Sequence, residues 1–516
     1  MRRSTALFIA RISGRGIWAE GMSSVAWLGR IAMLASVLVI GAGASAETIP
    51  PRPIFLGTAC VMPGISPEIG PRLRCGTVAV PRDHGHPEAG SFKLAVVVIR
   101  ASKQPAPPDP VVYISGGPGS PLTIYADYQA RHPYDPGRDL ILIDQRGIGY
   151  SEPNICPDVA GKLLGADFAA AASSASDAQG RLKSLFMACR DSAQARGIDL
   201  DDFGTTTTVE DFDRVRQALW IERWNVVGVS YGTTVAMTLM TRHPGTIRSA
   251  VLDSVNPPDA LMSLWSSRVI EARTAFFSMC EWTEACAAAY PDLAGLYRQA
   301  VDRLGRAPLT ASVPPWMGWP GNQAALTASL FEVVVAHLLY YPNNYSGLPR
   351  MIAAVHDGDA HDFDDALAEI LRGGTAMNFA ANAAVDCRER PHFRERLPAG
   401  ADTLEELPLY GVCGEWSGLG PLPSVPVGTD IPTLVLAGQF DPNAPPAFSR
   451  HVADLIGDHA RWIEFPAIGH NVMHFSDCGM RIVADFIERP MQAPDTSCAE
   501  HPAPVRFAPR YPATAN

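Results

Sequence analysis

The chain has 516 residues, of which 47% are hydrophobic and 18% charged, and this balance excludes a disordered, collagen-like or coiled-coil protein. With 42 Lys and Arg against 53 Asp and Glu, the formal net charge is −11, and no basic run is present that would neutralise a row of phosphates. Nucleic acid is therefore not expected as a partner.

The first 46 residues are typical of a secretory signal peptide. Five arginines precede an uncharged apolar stretch, 31–44, and small residues follow it up to Ala46. This stretch is shorter than the roughly 20 residues that a membrane-spanning helix needs, which argues against the alternative of a membrane anchor. We expect cleavage after Ala46, no stable membrane insertion afterwards, and a periplasmic or extracellular location; the sequence does not indicate the oligomeric state.

All ten cysteines lie beyond residue 46, and an even number of cysteines in an exported chain favours disulfides. The alternative is a zinc site, but there is no C-x-x-C motif and no histidine at ligand spacing, so no metal is expected. The spacing predicts five local pairs, each closing a short or moderate loop: Cys60/Cys75, Cys156/Cys189, Cys280/Cys286, Cys387/Cys413 and Cys478/Cys498.

Up to residue 255, short runs rich in Val, Ile and Leu alternate with helical patterns. The predicted strands are 77–80, 94–99, 111–114, 140–144, 225–229 and 250–253, and the predicted helices are 207–219 and 233–242. The order strand, helix, strand requires right-handed crossovers and a mostly parallel sheet.

This alternation stops between residues 256 and 426, where the chain is rich in alanine and helical in period. Strand patterns resume at 433–437 and 462–465, and a last helix is predicted at 480–488. We therefore expect an α/β fold in which a sheet domain, 47–255 and 427–500, is interrupted by a large helical cap, 256–426. A flexible tail, 501–516, is expected to follow.

The segment Gly228-Val229-Ser230-Tyr231-Gly232 is the strongest indication of chemistry, because this G-x-S-x-G motif lies between a predicted strand and a predicted helix. Glycines at both ends permit a sharp turn that exposes the Ser230 hydroxyl as a nucleophile. The alternative role of Ser230 is an ordinary helix N-cap.

A serine nucleophile needs a base and a carboxylate that orients the base. Asp441 follows the strand 433–437 and His470 follows the strand 462–465, so both are expected at the carboxyl edge of the sheet. Asp253 is the alternative acid and His474 the alternative base.

Stabilisation of the oxyanion is predicted for the loop Ser115-Gly116-Gly117-Pro118-Gly119, which follows the strand 111–114. Its glycines allow the backbone to approach a substrate and to direct N–H groups at it. We expect the N–H groups of Gly116, Gly117 and Tyr231 to form the oxyanion hole; the alternative is a simple turn.

Taken together, the 115–119 loop, the segment Asp144-Gln145-Arg146-Gly147, the elbow at Ser230, Asp441 and His470 resemble the proline iminopeptidase and tripeptidyl aminopeptidase group of α/β-hydrolases. This resemblance implies an exported serine exopeptidase that cuts near the N-terminus of peptides, beneath a cap that narrows access. It also implies that Arg146 supports the oxyanion loop. Position 115 departs from the group, where His or Asn is common, because it is Ser here.

The resemblance further implies that carboxylates of the cap hold the free amine of the substrate. Glu389 is the candidate, because a disulfide at Cys387 would anchor it; the alternatives are Glu271, Glu281, Glu332 and Glu415.

The predicted reaction is a two-step acyl transfer by Ser230, His470 and Asp441 that needs no cofactor. The expected substrates are peptides with a free N-terminus. The number of residues released and any preference for proline stay open. The alternatives are a carboxylesterase or lipase of the same fold and, from a different class, a non-catalytic binding protein on this scaffold.

Overall fold

The computed structural model describes residues 52–511, apart from 132–136, 157–175, 260–264, 390–411 and the single positions 318, 375, 417, 419, 422 and 503. The predicted signal peptide, 1–46, lies outside the described residues. No described helix is both long enough and apolar enough to cross a membrane.

One nine-stranded sheet and one two-stranded hairpin are present among the described residues. The strands are β1 Phe55–Thr58, β2 Leu73–Pro81, β3 Ser91–Ile99, β4 Val111–Ile114, β5 Leu140–Ile143, β6 Trp224–Val229, β7 Ile247–Asp253, β8 Leu309–Ser312, β9 Gln323–Leu326, β10 Thr433–Gly438 and β11 Ala460–Phe465.

The described helices divide between the sheet domain and the segment from β7 to β10, which we call the cap. The sheet domain contains α1 Ala126–Arg131, α2 Ser176–Ala195, α3 Thr205–Ala218 and α4 Tyr231–Arg242 before the cap, and α13 Pro446–Ile456, α14 Val472–Phe475 and α15 Asp477–Glu488 after it. The cap contains α5 Trp265–Trp282, α6 Glu284–Ala289, α7 Leu293–Arg306, α8 Ala328–Leu338, α9 Leu348–Asp357, α10 His361–Gly374, α11 Phe379–Glu389 and α12 Cys413–Trp416.

The large sheet has the strand order β1-β2-β3-β5-β4-β6-β7-β10-β11. From β5 to β11 every neighbouring pair is parallel, whereas β1, β2 and β3 form an antiparallel edge. The predicted mostly parallel sheet is confirmed, and all eight predicted strands belong to it. Sequence reasoning missed β1, because this edge strand is four residues long and largely exposed, and so lacks a buried apolar run.

Alternate residues of the central strands supply two separate cores. Val112 of β4 and Val226 of β6 pack on one face of the sheet with α2, α3, α4 and α13, whereas Val111 and Val227 pack on the other face with α1 and α15. Successive side chains of a strand point to opposite faces, so continuous apolar runs predict burial on both sides. The sheet domain therefore has three layers.

The cap has a core of its own, which joins the sheet domain at one aromatic residue. Helices α5 to α10 bury an apolar cluster that also includes Phe440, the residue before Asp441. The ring of Phe276 from α5 meets Phe440 edge-on at a centroid distance of 5.8 Å. The helix α11 instead packs into the core of the sheet domain through its alanines.

Residues 504–511 differ from the flexible tail predicted for 501–516. The Tyr290 hydroxyl donates to the Ala508 carbonyl at 2.9 Å, and the Tyr511 hydroxyl donates to Asp362 at 2.9 Å. Polar and proline-rich composition suggested a free end, but the aromatic and arginine side chains in this segment find partners on the cap.

All ten cysteines are paired, and the five pairs are those predicted from spacing. The pairs differ in the length of chain that they close: 33 residues for Cys156–Cys189 and 6 residues for Cys280–Cys286. A longer loop restricts the unfolded chain more strongly, so disulfides that close longer loops stabilise the folded state more.

We expect the double substitution Cys156→Ala/Cys189→Ala to lower the free energy of unfolding by roughly 3–4 kcal/mol, and Cys280→Ala/Cys286→Ala to lower it by roughly 2 kcal/mol. Chemical denaturation without reductant, followed by tryptophan fluorescence, measures both values. A larger loss for the Cys280–Cys286 pair would contradict the loop-length argument.

Candidate active site

Ser230 lies on the sharp turn where β6 ends and α4 begins. Its φ of 57° and ψ of −127° fall outside the regions that residues other than glycine ordinarily adopt, and strain of this kind concentrates at functional sites. A Cβ on Gly232 would lie 2.2 Å from the carbonyl oxygen of Ile114, and one on Gly228 would lie 2.4 Å from that of Gly232. Close backbone contacts therefore require glycine at both ends of the motif, as the G-x-S-x-G pattern predicted.

His470 and Asp441, 29 positions apart in the chain, form a buried pair. The imidazole Nδ1 lies 2.7 Å from Oδ2 of Asp441. The other oxygen, Oδ1, accepts the N–H groups of Asn443 at 2.9 Å and Ala444 at 2.8 Å, which holds the carboxylate in place. An Nδ1–H that donates to the carboxylate leaves Nε2 as a proton acceptor.

Burial disfavours the charged form of His470, but the charge and hydrogen bond of Asp441, together with the charge of Asp253, outweigh it. The net effect raises the pKa of His470 above its usual 6.5. The two carboxylates thus stabilise the imidazolium that forms when His470 takes up a proton.

Asp253, the alternative acid, does not bond to His470. Its carboxylate accepts the N–H groups of Val472 at 2.9 Å and Met473 at 2.8 Å, just after the histidine. Its carbonyl oxygen accepts the N–H of Ser230 at 3.0 Å. The end of β7 therefore binds both the serine turn and the histidine loop.

Burial raises the pKa of Asp253 to about 6, against the opposing effect of the N–H groups of Met473 and Val472.

The alternative base, His474, lies on α14, where its ring is hydrogen-bonded to the Tyr128 hydroxyl. Among the two predicted acids and two predicted bases, Asp441 and His470 are the pair that the structure brings into direct contact.

The predicted oxyanion loop packs directly on the serine. A Cβ on Gly116 would lie 2.6 Å from the Cβ of Ser230, so only glycine fits at this contact. Gly117 adopts a φ of 109° and Gly119 a φ of 105°, which glycine reaches without strain. Tyr231, the third predicted donor, begins α4 directly after Ser230.

Two asparagines of the cap hold this loop from outside. The Asn378 N–H donates to the Gly119 carbonyl at 2.9 Å, and Nδ2 of Asn382 donates to the Pro118 carbonyl at 3.0 Å. Sequence reasoning missed both residues, because an asparagine at the start of a helix looks like any other capping residue. No neighbouring residue in the sequence indicates that Asn378 and Asn382 each bind a residue more than 250 positions away.

The cap also touches the histidine directly. The His470 N–H donates to the Tyr340 carbonyl at 2.7 Å, and the two rings lie 5.2 Å apart. A Cβ on Gly469 would lie 2.3 Å from the carbonyl oxygen of Leu339, so the cap segment after α8 packs against the backbone of the histidine loop.

The hydrogen-bond partners of the Arg146 guanidinium lie outside the 115–119 loop, which the resemblance implied that it supports. Its guanidinium forms a buried ion pair with Asp211 of α3 and donates to the carbonyl oxygens of Pro81, Arg82 and Asp202. These bonds join the end of β2 to α3. The neighbouring Asp144 is the residue that orders the chain after the oxyanion loop, where it accepts N–H groups of Leu122 and Thr123.

Glu389, the predicted ligand of the substrate amine, lies buried at the end of α11. Its carboxylate accepts the backbone N–H of Thr205 and, at 2.7 Å, the Thr205 hydroxyl, which places it at the N-terminus of α3. That hydroxyl is in turn 2.8 Å from the Tyr231 hydroxyl. The predicted role in amine binding stays a prediction.

The four alternative carboxylates lie at other places on the chain. Glu271, Glu281 and Glu415 are exposed, and Glu332 accepts the Tyr297 hydroxyl at 3.2 Å inside the cap. Within the described ranges, no group of three or more His, Cys, Asp or Glu side chains is placed to hold a metal ion.

Two family models match the chain: one described as alpha/beta hydrolase fold covers residues 109–312, and one described as TAP-like protein covers 404–498. The tripeptidyl aminopeptidase of Streptomyces coelicolor is 26% identical over 337 residues, which are 61% of this chain and 60% of that protein. A probable proline iminopeptidase of Streptomyces coelicolor is 29% identical over 28% of this chain and 32% of its own length.

Among solved structures, a proline iminopeptidase of Mycobacterium smegmatis aligns with 80% of this chain and 98% of its own, at 17% identity and a TM-score of 0.40. The strand order, the serine turn and the two family matches lead to one conclusion. The chain has the α/β-hydrolase fold, and its relatives include a tripeptidyl aminopeptidase and a probable proline iminopeptidase.

Proposed function

We propose that the protein is an exported serine exopeptidase that hydrolyses peptide bonds near a free N-terminus, with Ser230 as nucleophile, His470 as base and Asp441 as the orienting acid. One observation carries the proposal: the strained serine turn and the loop that follows His470 are both hydrogen-bonded to Asp253 at the end of β7, and His470 itself pairs with the buried Asp441. The relatives supply the substrate class, since they include proteins named tripeptidyl aminopeptidase and probable proline iminopeptidase.

In the proposed reaction, the Ser230 hydroxyl attacks the scissile carbonyl while Nε2 of His470 takes its proton. The oxyanion is stabilised by the N–H groups of Gly116, Gly117 and Tyr231. His470 then gives the proton to the leaving amine, and water attacks the acyl-enzyme in a second step that regenerates Ser230. Asp441 keeps the imidazole oriented and stabilises its charged form.

Export is supported by the disulfides. Five disulfide bonds are rare in proteins of a reducing compartment and common in exported ones. The predicted signal peptide, 1–46, would direct the export of the chain, and we expect it to be removed by cleavage after Ala46.

We expect a small fluorophosphonate probe to label the folded protein at Ser230 and to leave Ser230→Ala unlabelled, as peptide mapping by mass spectrometry would show. A panel of aminoacyl, dipeptidyl and tripeptidyl p-nitroanilides should be cleaved, and Ser230→Ala should lower kcat by on the order of 10⁶-fold. N-acetylated p-nitroanilides and short-chain p-nitrophenyl esters serve as comparisons.

The same panel distinguishes the competing functions. Rapid ester hydrolysis without cleavage of any free-amine p-nitroanilide would favour a carboxylesterase or lipase. Absence of labelling in well-folded protein would favour a non-catalytic binding protein and would overturn the proposal.

The raised pKa of His470 sets the pH dependence of the reaction. The base must be neutral, so kcat/KM should rise with pH through this pKa. The midpoint of that rise should lie above pH 6.5. We expect NMR titration of Ser230→Ala to place the His470 pKa above 6.5, and Ser230→Ala/Asp441→Asn to lower it because the main stabilising charge is gone. An unchanged pKa in the double variant would contradict the assignment of Asp441.

Glu389 is proposed to bind the substrate amine. Glu389 is a buried carboxylate of the cap that accepts two hydrogen bonds from Thr205. Glu389→Gln should raise KM for free-amine p-nitroanilides roughly 10- to 100-fold, since a charged hydrogen bond is lost, and leave N-acetylated ones unchanged. Glu415→Gln, at an exposed carboxylate of the cap, is the control. Equal effects on both substrate types would contradict amine binding and would leave Glu389 with a structural role only, as an acceptor at the N-terminus of α3.

A further inference from the structure

The cap places a second histidine beside His470. His337 lies in the last turn of α8, and its ring stacks on Tyr340 at a centroid distance of 5.2 Å and an interplanar angle of 27°. Tyr340 in turn lies 5.2 Å from the ring of His470. One aromatic ring therefore separates His337 from the proposed base.

The imidazole of His337 forms no hydrogen bond with any described residue, although the side chain is half-buried. Burial, followed by the positive charge of His470, lowers the pKa of His337 to about 4. The ring is therefore neutral near pH 7 and carries one N–H donor and one nitrogen acceptor. Neither ring nitrogen is among the fully buried side-chain atoms that lack a partner, so both are accessible to an external one.

Aromatic rings form a row that starts at this imidazole, because Tyr341 contacts His337, Phe475 contacts Tyr341, and His474 joins Phe475 to Tyr128. Tyr341 is 38% exposed, and its ring lies 6.3 Å from His337 and 5.2 Å from Phe475 of α14. Tyr125 and Tyr128, which follow the oxyanion loop, are 43% and 37% exposed. Exposed aromatic residues grouped in this way mark a binding surface rather than ordinary protein surface.

These residues come from the three segments that build the proposed active site. Tyr125 and Tyr128 follow the oxyanion loop, Phe475 follows His470, and His337 and Tyr341 belong to the cap. The ring of Tyr340, which contacts both His337 and His470, links this surface to the proposed base.

We infer that His337 is a substrate-binding residue, whose neutral imidazole hydrogen-bonds a peptide group of the substrate while an uncharged side chain of the substrate packs on Tyr341 and Phe475. This inference rests on the proposed function. A peptide group offers both a C=O and an N–H, which match the acceptor and donor of a neutral imidazole. A carboxylate offers acceptors only, so it would use the N–H donor of the ring and leave the nitrogen acceptor unpaired.

The test uses two substitutions at His337 and one control. His337→Phe retains the stacking on Tyr340 but removes both polar atoms, whereas His337→Gln retains a donor and an acceptor. His361→Phe places the same ring on an exposed position of the cap, at the start of α10. Each variant is assayed with the best p-nitroanilide of the panel and with p-nitrophenyl acetate, whose acetyl group has neither a peptide group nor a side chain to bind His337.

We expect His337→Phe to raise KM for the p-nitroanilide roughly three- to tenfold, as the loss of a neutral hydrogen bond implies, with kcat changed less than about twofold. His337→Gln should restore most of the loss, and His361→Phe should have no effect. Hydrolysis of p-nitrophenyl acetate and the rate of fluorophosphonate labelling should be the same in all variants.

Two outcomes would overturn the inference while the proposed function stands. One is an unchanged KM in His337→Phe with normal labelling. The other is an equal loss of kcat on the p-nitroanilide and on p-nitrophenyl acetate, which would show that His337 acts only by positioning His470 through Tyr340. Failure of the wild-type protein to be labelled would instead overturn the proposed function itself.

Discussion

The geometry of the candidate site depends on the carboxyl end of β7. The main chain of Asp253 accepts the N–H of Ser230, and its side chain accepts two N–H groups from the loop that carries His470. The next residue, Ser254, accepts the N–H of Asn471 through its hydroxyl at 2.7 Å. One strand end thus fixes two segments that are 240 positions apart in the sequence. A buried carboxylate is costly to desolvate, and this arrangement satisfies it with backbone N–H groups rather than with a cation.

The cap is part of the site rather than a cover placed over a finished one. Its Tyr340 carbonyl binds the backbone of His470, and its Asn378 and Asn382 bind the oxyanion loop. Phe440, next to Asp441, is buried in the apolar core of the cap. The oxyanion loop, the Asp441 loop and the His470 loop therefore each have a cap contact, so a change in the position of the cap would alter the positions of all three.

Sequence reasoning predicted the sheet, the serine turn and the disulfide pairs because these signals are local. Continuous runs of Val, Ile and Leu, such as 111–114, indicate strands buried on both faces, and the sheet confirms them. The glycines around Ser230 are needed by backbone contacts within a few residues of the serine or with the adjacent strand. The disulfide pairs followed from spacing because each joins cysteines close in sequence.

By itself, the sequence determined the α/β class, the serine turn, and Asp441 and His470 as candidates at strand ends, since parallel strands bring such positions to one edge. The tertiary structure alone decided between Asp441 and Asp253 as partner of His470, assigned Arg146 to α3, and placed Glu389 against Thr205. It also placed His337 beside Tyr340. The physical reason is range: strand and turn preferences act between near neighbours, whereas these contacts join residues brought together only when the cap packs on the sheet or when neighbouring strands align.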